Sequence, residues 1–227
     1  MFGPDIWIAD GPAVTGIAGF RFPTRMAAIR LADGGLFIWS PVALSPALKA
    51  EVEALGPVRH LVAPNSLHYM ALPEWQRAFP AAKTHAAPGL AGAAPAIVFD
   101  AELGEAPPSD WAADMDQVVM HGNTITTEVV FFHEKSGTAI FTDLLQQFPE
   151  GWFRGWRALV AKLDLMREAE PAVPRKFRLA FRDRVAARDG IARILAWPAE
   201  RVLMAHGTPV MVDGRAFLAR AFRWLKP

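Results

Sequence analysis

Three polar residues of metal-binding type follow segments that have the character of buried strands. They are His68 in LVAPNSLHYM, Asp143 in TAIFTDLLQQF and His206 in RVLMAHGTPV. Imidazole nitrogens and carboxylate oxygens bind zinc and iron, and three such ligands with one open position form a workable catalytic site. A metal there lowers the pKa of a bound water to about 7 and makes hydroxide available. The three residues therefore predict a metal site if the fold brings them together.

The first half of the chain alternates short strands, turns and helices. FRFPTRMAAIRLADGGLFIWSP predicts a hairpin, because the Asp-Gly-Gly sequence at 33–35 can adopt the positive φ of a tight turn. SPALKAEVEALG predicts a helix that Ser45 caps and Gly56 ends. A strand (VRHLVAP), a short helix (LPEWQRAFP) and a further strand (AKTHAAP) follow. This rhythm favours an α/β layer over an all-β barrel.

The second half begins with strands and ends with helices. MDQVVMHG, TTEVVFFHEKSG and TAIFTDLL predict strands. GWFRGWRALVAKLDLM and PRKFRLAFRDRVAARDGIARILA predict helices, because their apolar residues recur every three or four positions. RVLMAH predicts one more strand and FLARAFRWL a final helix. Strands before helices in each half predict a sandwich, not a doubly wound sheet.

Composition excludes several kinds of site. The chain has no cysteine, so disulfides, thiolate ligands and iron–sulfur clusters are excluded and any metal must bind nitrogen or oxygen. A net charge of +1 predicts no nucleic-acid partner and no membrane partner. The N-terminus has no basic region followed by an apolar run, and no apolar stretch approaches about 20 residues. We therefore expect a cytoplasmic protein.

Three segments resemble the metallo-β-lactamase superfamily. VRHLVAPNSLHYMALPEWQRAFPAAKTHAAPG resembles its strand, metal-binding loop, helix and following strand. TTEVVFFHEKSGTAIFTDLLQQF resembles the strand pair that ends in the aspartate bridging two metals, and RVLMAHGTPV the late strand that delivers the last histidine. The segments keep the order of the superfamily from about residue 58 to residue 210. The resemblance implies one domain over residues 1–227, with a four-layer αβ/βα sandwich of the α/β class.

A narrower resemblance points to one branch of that superfamily. The combination of Pro64, Asn65 and His68 with Glu74-Trp75 and Thr142-Asp143-Leu144 is similar to an uncharacterised lactamase-like family. That family has no assigned activity, so the resemblance implies a fold and no substrate.

The metal motif of the superfamily is incomplete in this chain. The superfamily loop reads His-x-His-x-Asp-His, whereas residues 65–70 read NSLHYM, with Asn65 in the place of the first histidine. A later Gly-His-Thr motif is replaced by HGNTITT, in which His121 lies about three residues early. The resemblance leaves His68, Asp143 and His206 as ligands of the second metal position. Asn65 could orient a ligand or a water, and His121 is a reserve ligand.

Other polar and aromatic residues have simpler explanations. We expect His60 to face solvent or a helix, and His133 to lie exposed at a hairpin edge. Trp152, Phe153 and Trp156 are typical of packing between helices and a sheet, with a substrate pocket or a homodimer face as alternatives. The arginine-rich segment from 174 to 193 contains aspartates, which favour a solvated helix over nucleic-acid binding.

Two functions remain open on these residues. The first is a metal-dependent hydrolase with a reduced, one-metal site of zinc or iron. It would act on a small ester, thioester, lactone or phosphoester, with Asp143 as ligand and as the catalytic residue that handles the proton. The second is a catalytically inactive lactamase-like binding or scaffold protein without metal. A non-haem iron redox site is a weaker third reading.

Overall fold

Two β-sheets packed face to face form the interior of the protein. The computed structural model describes residues 1–225. The first sheet has the spatial order β1-β2-β3-β4-β5-β6, and the second has the order β10-β9-β8-β7. Strands of the first sheet are β1 (Ile6–Thr15), β2 (Arg21–Arg30), β3 (Leu36–Trp39), β4 (Val58–Ala63), β5 (Lys83–Ala86) and β6 (Ala101–Glu102). Strands of the second are β7 (Met115–Met120), β8 (Glu128–His133), β9 (Thr138–Gln146) and β10 (Arg201–His206).

Helices cover the outer faces of both sheets. They are α1 (Pro46–Leu55), α2 (Leu72–Ala78), α3 (Leu90–Ala93), α4 (Trp156–Leu163), α5 (Arg175–Ala180), α6 (Arg184–Ala196) and α7 (Gly214–Ala221). Helices α1 to α3 pack on the first sheet and α5 to α7 on the second. This is the predicted four-layer αβ/βα sandwich. Within residues 1–225, no helix is long and apolar enough to cross a membrane.

A buried apolar layer joins the two sheets. Alternate residues of each strand point into it, as the two-residue period of a strand requires. The first sheet contributes Phe37 and Val62, and the second contributes Phe131, Ile140 and Leu203, all fully buried. Each such side chain stabilises the folded state by roughly 1.5–3 kcal/mol through removal from water. This layer holds the strand ends of the two sheets close together.

Local sequence signals account for the element boundaries. Ser45 caps α1, because its Oγ accepts a hydrogen bond from the Leu48 amide at 3.1 Å. The turn between β2 and β3 contains Gly34 with φ of 83°, as the tight-turn prediction requires. The arginine-rich segment predicted as one helix forms two, α5 and α6. Asp183 separates them, because its Oδ1 accepts from the Ala186 amide at 3.0 Å and caps α6.

Two histidines expected at the surface are buried. His60 in β4 is 5% exposed, since strand alternation points it in the same direction as Val62, towards the second sheet. Its ring packs edge-on to Trp111, with centroids 4.9 Å apart, and its Nδ1 lies 3.1 Å from Nε2 of His85. His133 is 1% exposed, and its Nδ1 pairs with the Ser136 hydroxyl at 2.7 Å. The prediction that His60 faces solvent or a helix and the prediction that His133 lies exposed were both wrong.

The buried His60–His85 pair gives the fold a pH dependence. Burial, followed by the charge of His60, lowers the pKa of His85 from 6.5 to about 4. In the unfolded chain the imidazole has a pKa of about 6.5, so below that pH the unfolded state binds a proton that the folded state does not. The free energy of unfolding should therefore decrease between about pH 6.5 and pH 4, by on the order of 2 kcal/mol.

Urea unfolding at about pH 7 and about pH 4.5 measures this effect. His85→Gln should show a smaller decrease than the wild-type chain. His121→Gln is the matched control, because the side chain of His121 is 51% exposed. An equal decrease in His85→Gln and in the wild-type chain would contradict the assignment.

Candidate functional site

The fold brings the three predicted ligand residues together. His68 lies in the loop after β4, Asp143 in β9, and His206 is the last residue of β10. The Nε2 atoms of His68 and His206 are 3.2 Å apart. Nε2 of His68 is 3.2 Å from Oδ2 of Asp143, and Nε2 of His206 is 3.5 Å from its Oδ1. The three side chains are only 8, 7 and 5% exposed in the order His68, Asp143 and His206.

Hydrogen bonds on the far side of each ring determine its tautomer. Nδ1 of His206 lies 2.7 Å from the Pro23 carbonyl oxygen, which can only accept, so Nδ1 carries the proton. Nδ1 of His68 lies 2.8 Å from Oγ of Ser40. That hydroxyl donates its own proton to the Arg25 carbonyl, so it accepts from His68. Each ring therefore has its Nδ1 engaged by an acceptor and directs its Nε2 towards the carboxylate of Asp143.

The carboxylate of Asp143 is oriented by two amides. Oδ2 accepts from Nδ2 of Asn65 at 2.8 Å, and Oδ1 accepts from Nε2 of Gln146 at 3.0 Å. Burial alone would raise the pKa of Asp143, but positive charge at His68 and hydrogen bonds from both imidazoles hold it well below its usual range. The carboxylate is thus ionised at neutral pH, the state that metal binding requires.

Asn65 shapes the loop as well as the carboxylate. Its Oδ1 accepts from the backbone amides of Leu67 at 2.9 Å and His68 at 3.0 Å. These bonds form an Asx turn that carries His68 back over the end of the first sheet. Its Nδ2 also lies 2.9 Å from the Thr142 hydroxyl. Asn65 therefore orients the carboxylate of Asp143 and holds the loop that contains His68.

Glu128, at the start of β8, is a fully buried carboxylate beneath Asp143. Its Oε1 accepts from the Thr142 amide at 2.8 Å. Its Oε2 accepts from the amides of Asp143 at 2.8 Å and Leu144 at 3.1 Å. Burial and the charge of Asp143 raise the pKa of Glu128 to about 7. The three hydrogen bonds hold the backbone of β9 at the residue that supplies the carboxylate.

The structure does not place His121 in the cluster. Its side chain is half-exposed, and its Nε2 pairs with Oε1 of Glu105 at 2.5 Å. It belongs to a surface ion-pair group that includes Arg193, whose guanidinium lies 3.3 Å from Oε2 of Glu105. His121 therefore lies at the surface with Glu105, away from His68, Asp143 and His206, and not where a reserve ligand would lie.

Three residues of the site were not found from the sequence. Ser40 follows β3 at a Ser-Pro step, the same strand-to-loop position as the predicted ligands, and has φ of 51°. Glu128 is a charged residue beside an unbroken apolar run, VVFF, which signals a buried carboxylate. Pro23 contributes only its main-chain carbonyl, for which the side-chain types give no signal.

The β1–β2 hairpin forms the wall of the site on the side of His206. Nη1 of Arg25 donates to the carbonyls of Gly207 at 2.7 Å and Met204 at 3.2 Å, and so ties β2 to the end of β10. The rings of Phe22 and Phe148 lie 5.7 and 6.3 Å from the ring of His206. The group of His68, Asp143 and His206, which we call the ligand cluster, thus has an apolar boundary on this side.

The donor set fits a single metal ion. Two ring nitrogens and a buried carboxylate that face one another require positive charge between them, which protons on the rings or a metal ion provide. The 3.2 Å between the two Nε2 atoms is close to the roughly 3.3 Å expected for ligands at about 2.0–2.1 Å from a tetrahedral ion. Within residues 1–225, this is the one group of three or more potential ligands found.

Solved structures of the same architecture are metallo-β-lactamases. The metallo-β-lactamase from Pontibacter korlensis has a TM-score of 0.64 at 14% identity, over 97% of this chain and 94% of that chain. The enzyme from Hirschia baltica has a TM-score of 0.63 at 12% identity, over 98% and 94%. FIM-1 from Pseudomonas aeruginosa, in its mono-zinc form, has a TM-score of 0.59 at 13% identity, over 98% and 93%. At these identities the likeness concerns the fold.

The sandwich and these matches define a protein with the metallo-β-lactamase fold, as the three sequence segments predicted. Residues 4–158, more than half of the chain, match the family model described as a domain of unknown function (DUF4336), and the chain belongs to that family. A search of curated proteins finds no match. The prediction of an uncharacterised lactamase-like branch is confirmed.

The contact of Ser40 with His68 yields a test of the tautomer assignment. Ser40→Ala removes the acceptor at Nδ1, so the ring loses its orientation and zinc affinity should decrease about tenfold or more. Isothermal titration with Zn²⁺ against a competing chelator measures the change. Ser136→Ala is the control, because that serine pairs with His133 and should leave zinc affinity unchanged. Equal affinities of the two variants would contradict the assignment.

Proposed function

We propose that the protein is a metal-dependent hydrolase that holds one zinc or iron ion at His68, Asp143 and His206. The observation that carries this proposal is the direction of the ring nitrogens. Both Nε2 atoms face the carboxylate of Asp143, while both Nδ1 atoms are engaged by acceptors behind the rings. The buried His60–His85 pair has no such carboxylate in the part of the chain that the structure describes, and its rings contact one another and Trp111.

The chain supports such a site through the groups around the ligands. A bound zinc or iron ion supplies Lewis acidity, which lowers the pKa of a water to about 7. Ser40 and Pro23 keep the imidazoles in the ligating tautomer, and Asn65 and Gln146 orient the carboxylate. We also propose Asp143 as acceptor of the proton of the attacking water. Its lowered pKa serves the ligand role more than the base role.

Burial and the apolar wall restrict the substrate. All three ligand side chains are more than nine-tenths buried, so only a small reacting group can approach them. Phe22 and Phe148 beside His206 favour an apolar portion next to that group. A small-molecule ester, thioester, lactone or phosphoester with an apolar substituent meets both conditions.

The metal-free binding protein is the alternative to this proposal. Asn65 donates hydrogen bonds to Glu128 and to the carboxylate of Asp143, and Glu128 accepts one from the backbone amide of Asp143 in β9. These buried groups therefore have partners within the protein. The sandwich would therefore fold without a metal, unlike a zinc finger. The measurements below decide between the two functions.

Metal content tests the ligand assignment. Protein purified without chelator should contain close to one equivalent of zinc or iron. His68→Ala and His206→Ala should each reduce this to roughly a tenth, since two ligands hold a divalent ion poorly. His121→Ala is the matched control, because that ring lies at the surface with Glu105, and it should keep the wild-type content. A wild-type chain that binds no added Zn²⁺, Mn²⁺ or Fe²⁺ would exclude the proposal.

Hydrolysis tests the catalytic part. The metal-loaded chain should cleave one of four substrate types: an aryl ester, a thioester, a lactone or an aryl phosphoester. Asp143→Asn keeps the shape of the side chain but removes its charge, and should lower kcat/KM by about a hundredfold or more. A chelator should abolish the reaction and added metal restore it. Stoichiometric metal without turnover of any of the four would argue against a hydrolase and leave the metal site in place.

A further inference from the structure

Helix α4 (Trp156–Leu163) directs its large apolar side chains to solvent. Four of them are exposed by 54, 60, 41 and 56% in chain order: Trp156, Leu159, Val160 and Leu163. Their spacing of three, four and seven residues places them on one face of the helix. The opposite face consists of Ala158 and Ala161, which pack on the cluster of Phe148, Phe153 and Met166. A helix of a globular protein normally buries its larger apolar side chains, so this face lacks a partner among the described residues.

Two further apolar side chains extend this face. Ile17, at the tip of the turn between β1 and β2, is 93% exposed, and Trp152, just before α4, is 38% exposed. Arg157 ties the tip to the helix, because its Nε donates to the Ala18 carbonyl at 2.8 Å. The six side chains form what we call the α4 surface: Ile17, Trp152, Trp156, Leu159, Val160 and Leu163. The expectation that Trp152 and Trp156 pack in the core was wrong.

Basic residues border the α4 surface. Helix α4 contains no aspartate or glutamate. At the angular spacing of a helix, Arg157 and Lys162 flank the apolar face on either side, and Arg154 precedes it. In the described part of the chain, none of these three forms an ion pair, and the guanidinium of Arg157 lies over the Trp156 ring at 4.7 Å. Along the helix, the border of the surface is therefore positively charged, while the nearby Glu150 and Asp164 pair with Arg167 and Lys176.

We propose that the α4 surface docks on a membrane surface that contains anionic lipids. Exposed Trp and Leu on one helix face, with Arg and Lys beside them, match the pattern of helices that lie in the interface of a bilayer. The basic side chains would contact the anionic headgroups near such a surface. The net charge of +1 reflects the whole chain and does not oppose this local match.

A second copy of the chain fits the α4 surface less well. In a symmetric dimer the same patch meets itself, so Arg154, Arg157 and Lys162 would approach their own copies. The helix has no carboxylate to neutralise them. Like charges across an interface disfavour association. The charge distribution therefore favours an anionic partner of different chemistry.

The α4 surface and the ligand cluster share one aromatic cluster. Ring centroids are 5.7 Å apart between Trp156 and Phe20, 5.2 Å between Phe20 and Phe153, and 4.9 Å between Phe153 and Phe148. Phe148 in turn lies 6.3 Å from His206. A chain docked through α4 would thus hold this side of the ligand cluster near the bilayer. The proposal does not depend on a metal.

Co-sedimentation with vesicles tests the proposal. The full chain should pellet with vesicles of phosphatidylcholine and phosphatidylserine, and much less with phosphatidylcholine alone. The pair Leu159→Ser and Leu163→Ser should lower the partition coefficient about tenfold or more, through the loss of buried apolar area. Lys162→Glu should lower binding to the anionic vesicles, and added salt should weaken binding of the wild-type chain.

The matched control is the pair Leu179→Ser and Val185→Ser, which are 65 and 66% exposed on other helices. This pair should keep wild-type binding, and circular dichroism should show that both double variants are folded. Equal binding by the two double variants, or none by the wild-type chain, would overturn the proposal. A wild-type dimer that Leu159→Ser and Leu163→Ser dissociate, without vesicle binding, would also overturn it and assign the surface to a second copy.

Discussion

The ionised carboxylate of Asp143, held out of water between two imidazoles, is the constraint on which the site depends. A buried charge is costly unless opposite charge and hydrogen bonds compensate it. Here the compensation comes from His68, His206, Asn65 and Gln146, which lie on the loop after β4, on β9 and at the end of β10. Because these elements belong to both sheets, the same electrostatic requirement also fixes how the two sheets meet at this end.

The hydrogen bonds at Nδ1 of His68 and His206 determine which ring atom faces the carboxylate of Asp143. With Nδ1 of each ring engaged by Ser40 or Pro23, both Nε2 atoms face the carboxylate of Asp143. The buried His60–His85 pair provides the contrast within the same protein. Its rings share a hydrogen bond, pack edge-on to Trp111 and are held neutral by burial. The same residue type thus serves packing at one place and faces a buried carboxylate at another.

The polar groups around Asp143 are satisfied within the protein. Asn65 donates its amide to the carboxylate of Asp143. Glu128 accepts three backbone amides beneath it and keeps β9 in position. These hydrogen bonds fix the position of Asp143 and of the backbone that carries it. The aromatic cluster of Phe148 and Phe153 supports both this site and the outward face of α4.

The sequence by itself determined what local chemistry and order along the chain can specify. Ser45 as a cap, the glycine turn after β2, the α/β class and the three candidate ligands are all properties of short segments, and the structure contains each of them. The tertiary structure alone decided which groups stand behind the ligands. Ser40 and the Pro23 carbonyl reach the rings across 28 and 183 residues of chain, distances over which sequence pattern carries no signal. It also decided the burial of His60 and the outward direction of α4. The period of a strand or helix groups residues on one face, but only packing against the rest of the chain determines whether that face is inside or outside.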